Sequence, residues 1–224
     1  MKVLNFELTQ QVFEIFTDLS DKITFNYNIQ AGELSNVKQI SEHEYLINLH
    51  ITEHESNDVA SFKFIHEICH IYQIETGYHR IIKCLSPDND IEQLLSRIND
   101  FVLDTDLHEF LRTKYSYNIH DIIDIRYKYN IYCDLIENLP EGQWTSIGMK
   151  LLAIEYAYIY FNNSQNLALD LLNKSVRFGQ DLQNYFWFIL NEYAHGIVLT
   201  PDFTTDIIIR LCHVFGLDDL YLLK

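Results

Sequence analysis

The segment SFKFIHEICHIYQIETG, residues 61 to 77, decides how the rest of this chain is read. Bulky apolar residues precede and follow its centre (Phe62, Phe64 and Ile65, then Ile71, Tyr72 and Ile74), so a helix here would be apolar over much of its surface and would run through the protein's interior. Asn57 and Asp58 are candidate caps for its start, and Gly77 is a favoured residue just past a helix C-terminus. Within the helix, His66 and His70 are four residues apart and share a face one turn apart, with Glu67 beside them. Unpartnered polar groups out of water cost a few kcal/mol each. One divalent metal would satisfy all three side chains; a solvated groove or backbone carbonyls would be the alternative.

Working outward, residues 7 to 19 carry apolar side chains at helical spacing (Leu8, Val12, Phe13, Ile15, Phe16, Leu19) and predict an amphipathic helix. Two strands are expected next: ITFNYNI at 23 to 29, with Ile23, Phe25, Tyr27 and Ile29 on one face, and EYLINLHI at 44 to 51. The AGELSN segment between them reads as a turn. From about Asp90 the pattern predicts helices at Ile91 to Leu111, Ile119 to Ile136, Trp144 to Phe161, Leu167 to Phe178, Leu182 to Tyr193 and Thr205 to Phe215. The YFWF run at 185 to 188 is expected in a core. The fold class is therefore α+β: residues 1–115 hold a helix, a small sheet and the HEICH helix, and residues 116–224 form a mainly helical part packed with them as one body.

Seven Gly and three Pro, with no low-complexity run, mark no sharp linker in the 224 residues. Sixteen basic against 32 acidic residues give a formal charge of -16, which repels phosphate backbones and anionic lipid surfaces. Nucleic acid and membrane are thus excluded as expected partners. The charge keeps an aromatic-rich protein in solution or presents an acidic face to a basic partner. No stretch has the roughly 18 uninterrupted apolar residues of a membrane span, and the opening MKVLNFELTQQVFEIF has no signal pattern, so a cytoplasmic location is expected. Cys69, Cys84, Cys133 and Cys212 are scattered, form no C-x-x-C pair, and fit free thiols in a reducing compartment.

Zinc brings the pKa of a bound water towards neutrality, and a carboxylate within reach takes its proton as it attacks a polarised carbonyl. With 10 His and 15 Glu in the chain, chance alone would place H-E-x-x-H roughly 0.03 times. HEICH with its apolar lead-in, preceded by a strand such as EYLINLHI, resembles the zincin metallopeptidases over about residues 8 to 110. The resemblance implies His66 and His70 as zinc ligands and Glu67 as general base; the C-terminal helices resemble no particular zincin subgroup.

A zincin needs a third ligand from a later element. The metzincin extension is absent, since Gly77 and His79 follow His70 at the wrong spacing. The segment DIEQLLSRINDFVLDTDLHEF offers carboxylates. Asp104 is the first choice, at an expected helix break after the apolar run FVL; Asp100, one turn earlier, is the second; Glu92, Asp106 and His108 are further alternatives. For an oxyanion-stabilising group the candidates are Tyr72, Tyr78, Tyr117, His120 and His195.

The expected function is that of a zinc-dependent metallopeptidase acting on a protein or peptide substrate. The alternatives are a catalytically inactive, zincin-like protein-binding module with an acidic helical surface, and hydrolysis of a non-peptide amide. Substrate and oligomeric state are not legible in the sequence.

Overall fold

A computed structural model describes residues 2–3, 6–20, 24–29, 35–52, 55–117, 119, 122, 125–138, 145–161, 164–193 and 200–224. The chain is α+β and forms two compact units, Met1–Tyr78 with Leu107–Ile123, and His79–Asp106 with Asp124–Lys224.

In the first unit, β1 (Lys2–Val3) and β2 (Phe6–Glu7) pair as a short antiparallel ribbon before α1 (Gln10–Ser20). Next comes a three-stranded sheet in the order β3 (Thr24–Ile29), β5 (Glu44–Leu49), β4 (Asn36–Ser41). Strand β5 is central, parallel to β3 and antiparallel to β4. Its alternation puts Tyr45, Ile47 and Leu49 into the core. There they join Val12, Ile15 and Leu19 of α1 and Phe64, Ile65, Ile68 and Ile71 of α2 (Asn57–Glu75). Phe16, Phe25 and Phe64, with ring centres 5.6 to 6.1 Å apart, tie α1, β3 and α2 together. Each fully buried large apolar side chain contributes about 1.5–3 kcal/mol.

Three expectations change here. The cap of α2 is Ser56, whose hydroxyl accepts from the Val59 N–H; Asn57 and Asp58 already lie within the first turn. Ser56 has the extended backbone a cap requires. Strand β4 was not expected, because it is an edge strand with few apolar residues, Ile40 among them lying exposed. In β3, Phe25 is half-buried but Tyr27 is exposed, and Ile23 and the side chain of Ile29 lie outside the described residues. Helix α2 ends as expected at Gly77: the Gly77 N–H donates to the Ile74 carbonyl and the Tyr78 N–H to that of Gln73. That double closure needs a left-handed residue, and Gly77 has φ +93°.

In the second unit, β6 (Ile81–Cys84) pairs antiparallel with β7 (Tyr221–Leu223), near the end of the sequence. Helix α3 runs unbroken from Asn89 to Tyr115, through Leu107 where the first unit resumes. The helix break expected near Asp104 does not exist: Phe101, Val102, Leu103, Asp106, Leu107 and His108 are all buried, so packing on several sides holds this stretch helical.

Helices α4 (Ile125–Asn138), α5 (Ser146–Phe161), α6 (Gln165–Lys174), α7 (Gln180–Tyr193) and α8 (Pro201–Val214) follow, with a 3-10 turn at Val176–Phe178. Helix α5 packs against α4, α6 and α7 and is buried over most of its middle, from Leu152 to Ala157. Helix α8 starts at Pro201, with Thr200 accepting from the Phe203 N–H, earlier than the expected Thr205. In the YFWF run Phe186 is buried as expected, but Trp187, one residue further round α7, is 46% exposed. Trp144 lies outside the described residues. Among the described residues, no helix is long and apolar enough to cross a membrane.

Candidate metal centre

The helical spacing of α2 places Phe62, His66 and His70 along one face, each a turn from the next. The His66 and His70 rings meet edge to face with centres 4.6 Å apart, and their Nε2 atoms lie 3.0 Å from each other. At the far side of His70, its Nδ1 faces the Gln73 side-chain oxygen at 3.1 Å. Gln73 is only 5% exposed and Glu67 only 6%, so both polar groups sit inside the protein and not on a washed surface. Phe62 and His108 pack on His66, with ring centres at 5.5 and 5.7 Å.

His66, His70 and Asp104 are each half-buried, and each carries an atom able to bind a metal. Asp104 stands one turn before His108 on the same continuous helix, α3.

These donors fit a divalent transition metal. Ligand atoms about 2.0–2.1 Å from a tetrahedral zinc stand a little over 3 Å apart from one another, close to the observed separation of the two imidazole nitrogens. Imidazoles and carboxylates are the donor types of zinc sites, and a catalytic zinc keeps one position for water where a structural one is closed.

Asp100, the second candidate, is exposed. It lines a small cavity of ≈ 60 Å³ together with Arg97, Asp104, Glu155 and Tyr158. In that cavity Arg97 pairs with the buried Glu155 at 3.4 Å. Burial, followed by the nearby charges of Asp104 and Glu155, pushes the Tyr158 phenol upward, so it stays protonated. Glu92 is exposed, whereas Asp106 and His108 are buried.

Of the tyrosines considered for an oxyanion role, Tyr72 stacks on Phe110 at 5.5 Å, Tyr117 is buried in the core of the first unit, and Tyr78 belongs to the turn that closes α2. His120 and His195 lie outside the described residues. Sequence reasoning passed over Gln73, although its spacing of three from His70 on one helix was a usable signal. The four cysteines are free thiols. Cys69, inside the HEICH turn, is fully buried, and burial pushes its thiol well up.

Compared with protein-family models, curated proteins and solved structures, the chain matches none of them.

Proposed function

We propose that this chain is a zinc-dependent hydrolase of zincin type, acting on peptide bonds, with His66, His70 and Asp104 as metal ligands and Glu67 as general base. The observation that carries the reading is the pair of imidazole nitrogens 3.0 Å apart on α2, with the buried Glu67 in the same turn; Asp104 completes the ligand set in this proposal. A helix, a small mixed sheet and then a central helix bearing H-E-x-x-H support the zincin assignment. The bound ion would supply Lewis acidity and a water acidic enough to attack at neutral pH. Glu67, buried in the same turn as His66, takes the proton from the attacking water and passes it to the leaving amine. His66 and His70 would hold the ion through their Nε2 atoms, and the Phe62 and His108 rings pack against His66.

The first test is metal content. Elemental analysis of the purified chain is expected to return about one zinc per chain, and none in a His66→Ala/His70→Ala variant prepared identically. Glu67→Gln should retain the metal and the fold while peptide turnover, measured on a denatured-protein substrate, falls by 10²-fold or more. Undiminished turnover in that variant would remove Glu67 from the base role. Absence of metal in the parent chain, even after zinc is supplied, would move the chain to the inactive, protein-binding reading.

A further inference from the structure

We infer that Gln73 is the positioning residue of the metal centre: its side-chain oxygen holds the proton of His70 on Nδ1 and so leaves the Nε2 lone pair aimed at His66 and the ion. This rests on the metal reading proposed above, and it adds a residue that H-E-x-x-H does not contain. A neutral imidazole carries one N–H, and the atom that binds a metal must be the other nitrogen. Left alone, an exposed histidine interchanges its tautomers and its ring orientation freely. Here the choice is made locally.

The His70 Nδ1 to Gln73 Oε1 distance is 3.1 Å, the two residues are three apart on α2, and Gln73 is buried. An amide oxygen has no proton to give, so in this contact the imidazole must be the donor. Nε2 then carries the lone pair, and it is this atom that stands 3.0 Å from His66 Nε2. With no ion present, His66 in its Nε2–H tautomer can satisfy that lone pair by donating to it; to hold an ion, His66 would move that proton to Nδ1 so that both Nε2 lone pairs are free.

The base of α2 is also fixed in space. Thr76 caps its last carbonyls, Gly77 and Tyr78 close the helix, and Glu75 is tied to Tyr45 of β5 and to His43 in the turn before that strand. Gln73 therefore sits on a rigid turn, which a positioning group requires: a partner that wandered would not select a tautomer. Such outer partners of metal-bound histidines typically change metal affinity by 10–100-fold when removed.

The experiment compares the parent chain with Gln73→Leu, which keeps the volume but cannot accept, and Gln73→Glu, which keeps the acceptor. Two readouts are needed. Nitrogen-15 chemical shifts of the metal-free protein report which His70 nitrogen bears the proton, and competition against a chelator of known affinity gives the zinc Kd. The parent is expected to hold the His70 proton on Nδ1. Gln73→Leu should lose that preference and bind zinc 10–100-fold more weakly, while Gln73→Glu should keep the Nδ1 proton and bind at least as tightly as the parent.

A His70 proton on Nε2 in the parent overturns the inference, as does unchanged zinc affinity in Gln73→Leu. Circular dichroism separates either result from misfolding, and recovery in Gln73→Glu separates positioning from mere packing. A parent that holds the proton on Nδ1 yet binds no zinc supports the tautomer control and overturns the metal reading itself, so the two failures are told apart.

Discussion

Glu75, in the last turn of α2, holds two partners at once: Tyr45 donates to one carboxylate oxygen at 2.5 Å, and His43, in the turn between β4 and β5, faces the other at 2.7 Å. Burial pushes the Glu75 carboxyl up, but the hydrogen bonds from Tyr45 and His43 outweigh it and leave the group below its ordinary 4.5. His43 is raised above its ordinary 6.5 by the hydrogen bond to Glu75 and the attraction of its charge. A raised histidine stabilises the fold fully below its unfolded value and stops doing so as pH climbs through the folded one. A lowered carboxylate stabilises above its unfolded value and loses that contribution as pH falls through the folded one. The pair should therefore contribute most between about pH 4.5 and 6.5. Urea midpoints at pH 5.5 and pH 8 are expected to differ less in His43→Ala than in the parent; an identical difference would show the contact to be inert. Also at this scale, Asp104→Ala should weaken zinc binding, since Asp104 is the proposed third ligand, whereas His108→Ala should leave it within a few-fold, since His108 packs its ring against that of His66. The reverse order in a chelator competition would transfer the ligand role to His108.

Among elements, the sheet and α2 are bound by the alternation of β5. Ile47 is fully buried at its centre, opposite Tyr27 of β3 and Val37 of β4, whereas Ile40 on the edge strand β4 is 53% exposed. The same substitution should therefore have different consequences on neighbouring strands. Ile47→Ala is expected to cost about 2–5 kcal/mol of unfolding free energy. Ile40→Ala should stay within about 0.5 kcal/mol of the parent. Equal losses in denaturant titrations would mean that β4 is covered in solution. Helix α3 gives the contrasting case. Its 27 residues carry no glycine or proline, and the run from Phe101 to Leu103 with Asp106 to His108 buries side chains around much of the circumference, which is why a break expected at Asp104 is absent.

For the whole molecule, the cysteines offer a check on burial that needs no ligand. Cys69 and Cys212 are buried, and burial pushes the Cys212 thiol up to about 12 and that of Cys69 higher still. Cys84 and Cys133 are half-buried, and Lys174 Nζ lies 3.4 Å from the Cys133 sulfur. Thiolates, not thiols, react with alkylating agents. At pH 8 the native chain is expected to take up iodoacetamide at Cys84 and Cys133, and the unfolded chain at all four cysteines. Adducts mapped by mass spectrometry to Cys69 in the native protein would show that the HEICH turn opens.

Much of this fold is legible in the residue pattern, for identifiable reasons. Helical periodicity marked α1 and most later helices because one face of each is buried; strict alternation marked β5 because it is central; and Gly77 marked the end of α2 because only a left-handed residue closes that helix. His66, Glu67 and His70 could be read as a unit because their spacing is set within one helix. Strands β4, β6 and β7 could not, since short or edge strands carry few buried residues and draw their hydrogen bonds from distant segments. The difference between Asp104, half-buried, and Asp100, exposed, depends on how α3 is turned about its axis, a phase decided by packing on several of its sides at once. The sequence by itself determined the helix that carries the two histidines and the residue types available to join them; tertiary structure alone decided that α3 runs unbroken and which of its carboxylates are buried, because burial arises from contacts that no local pattern encodes.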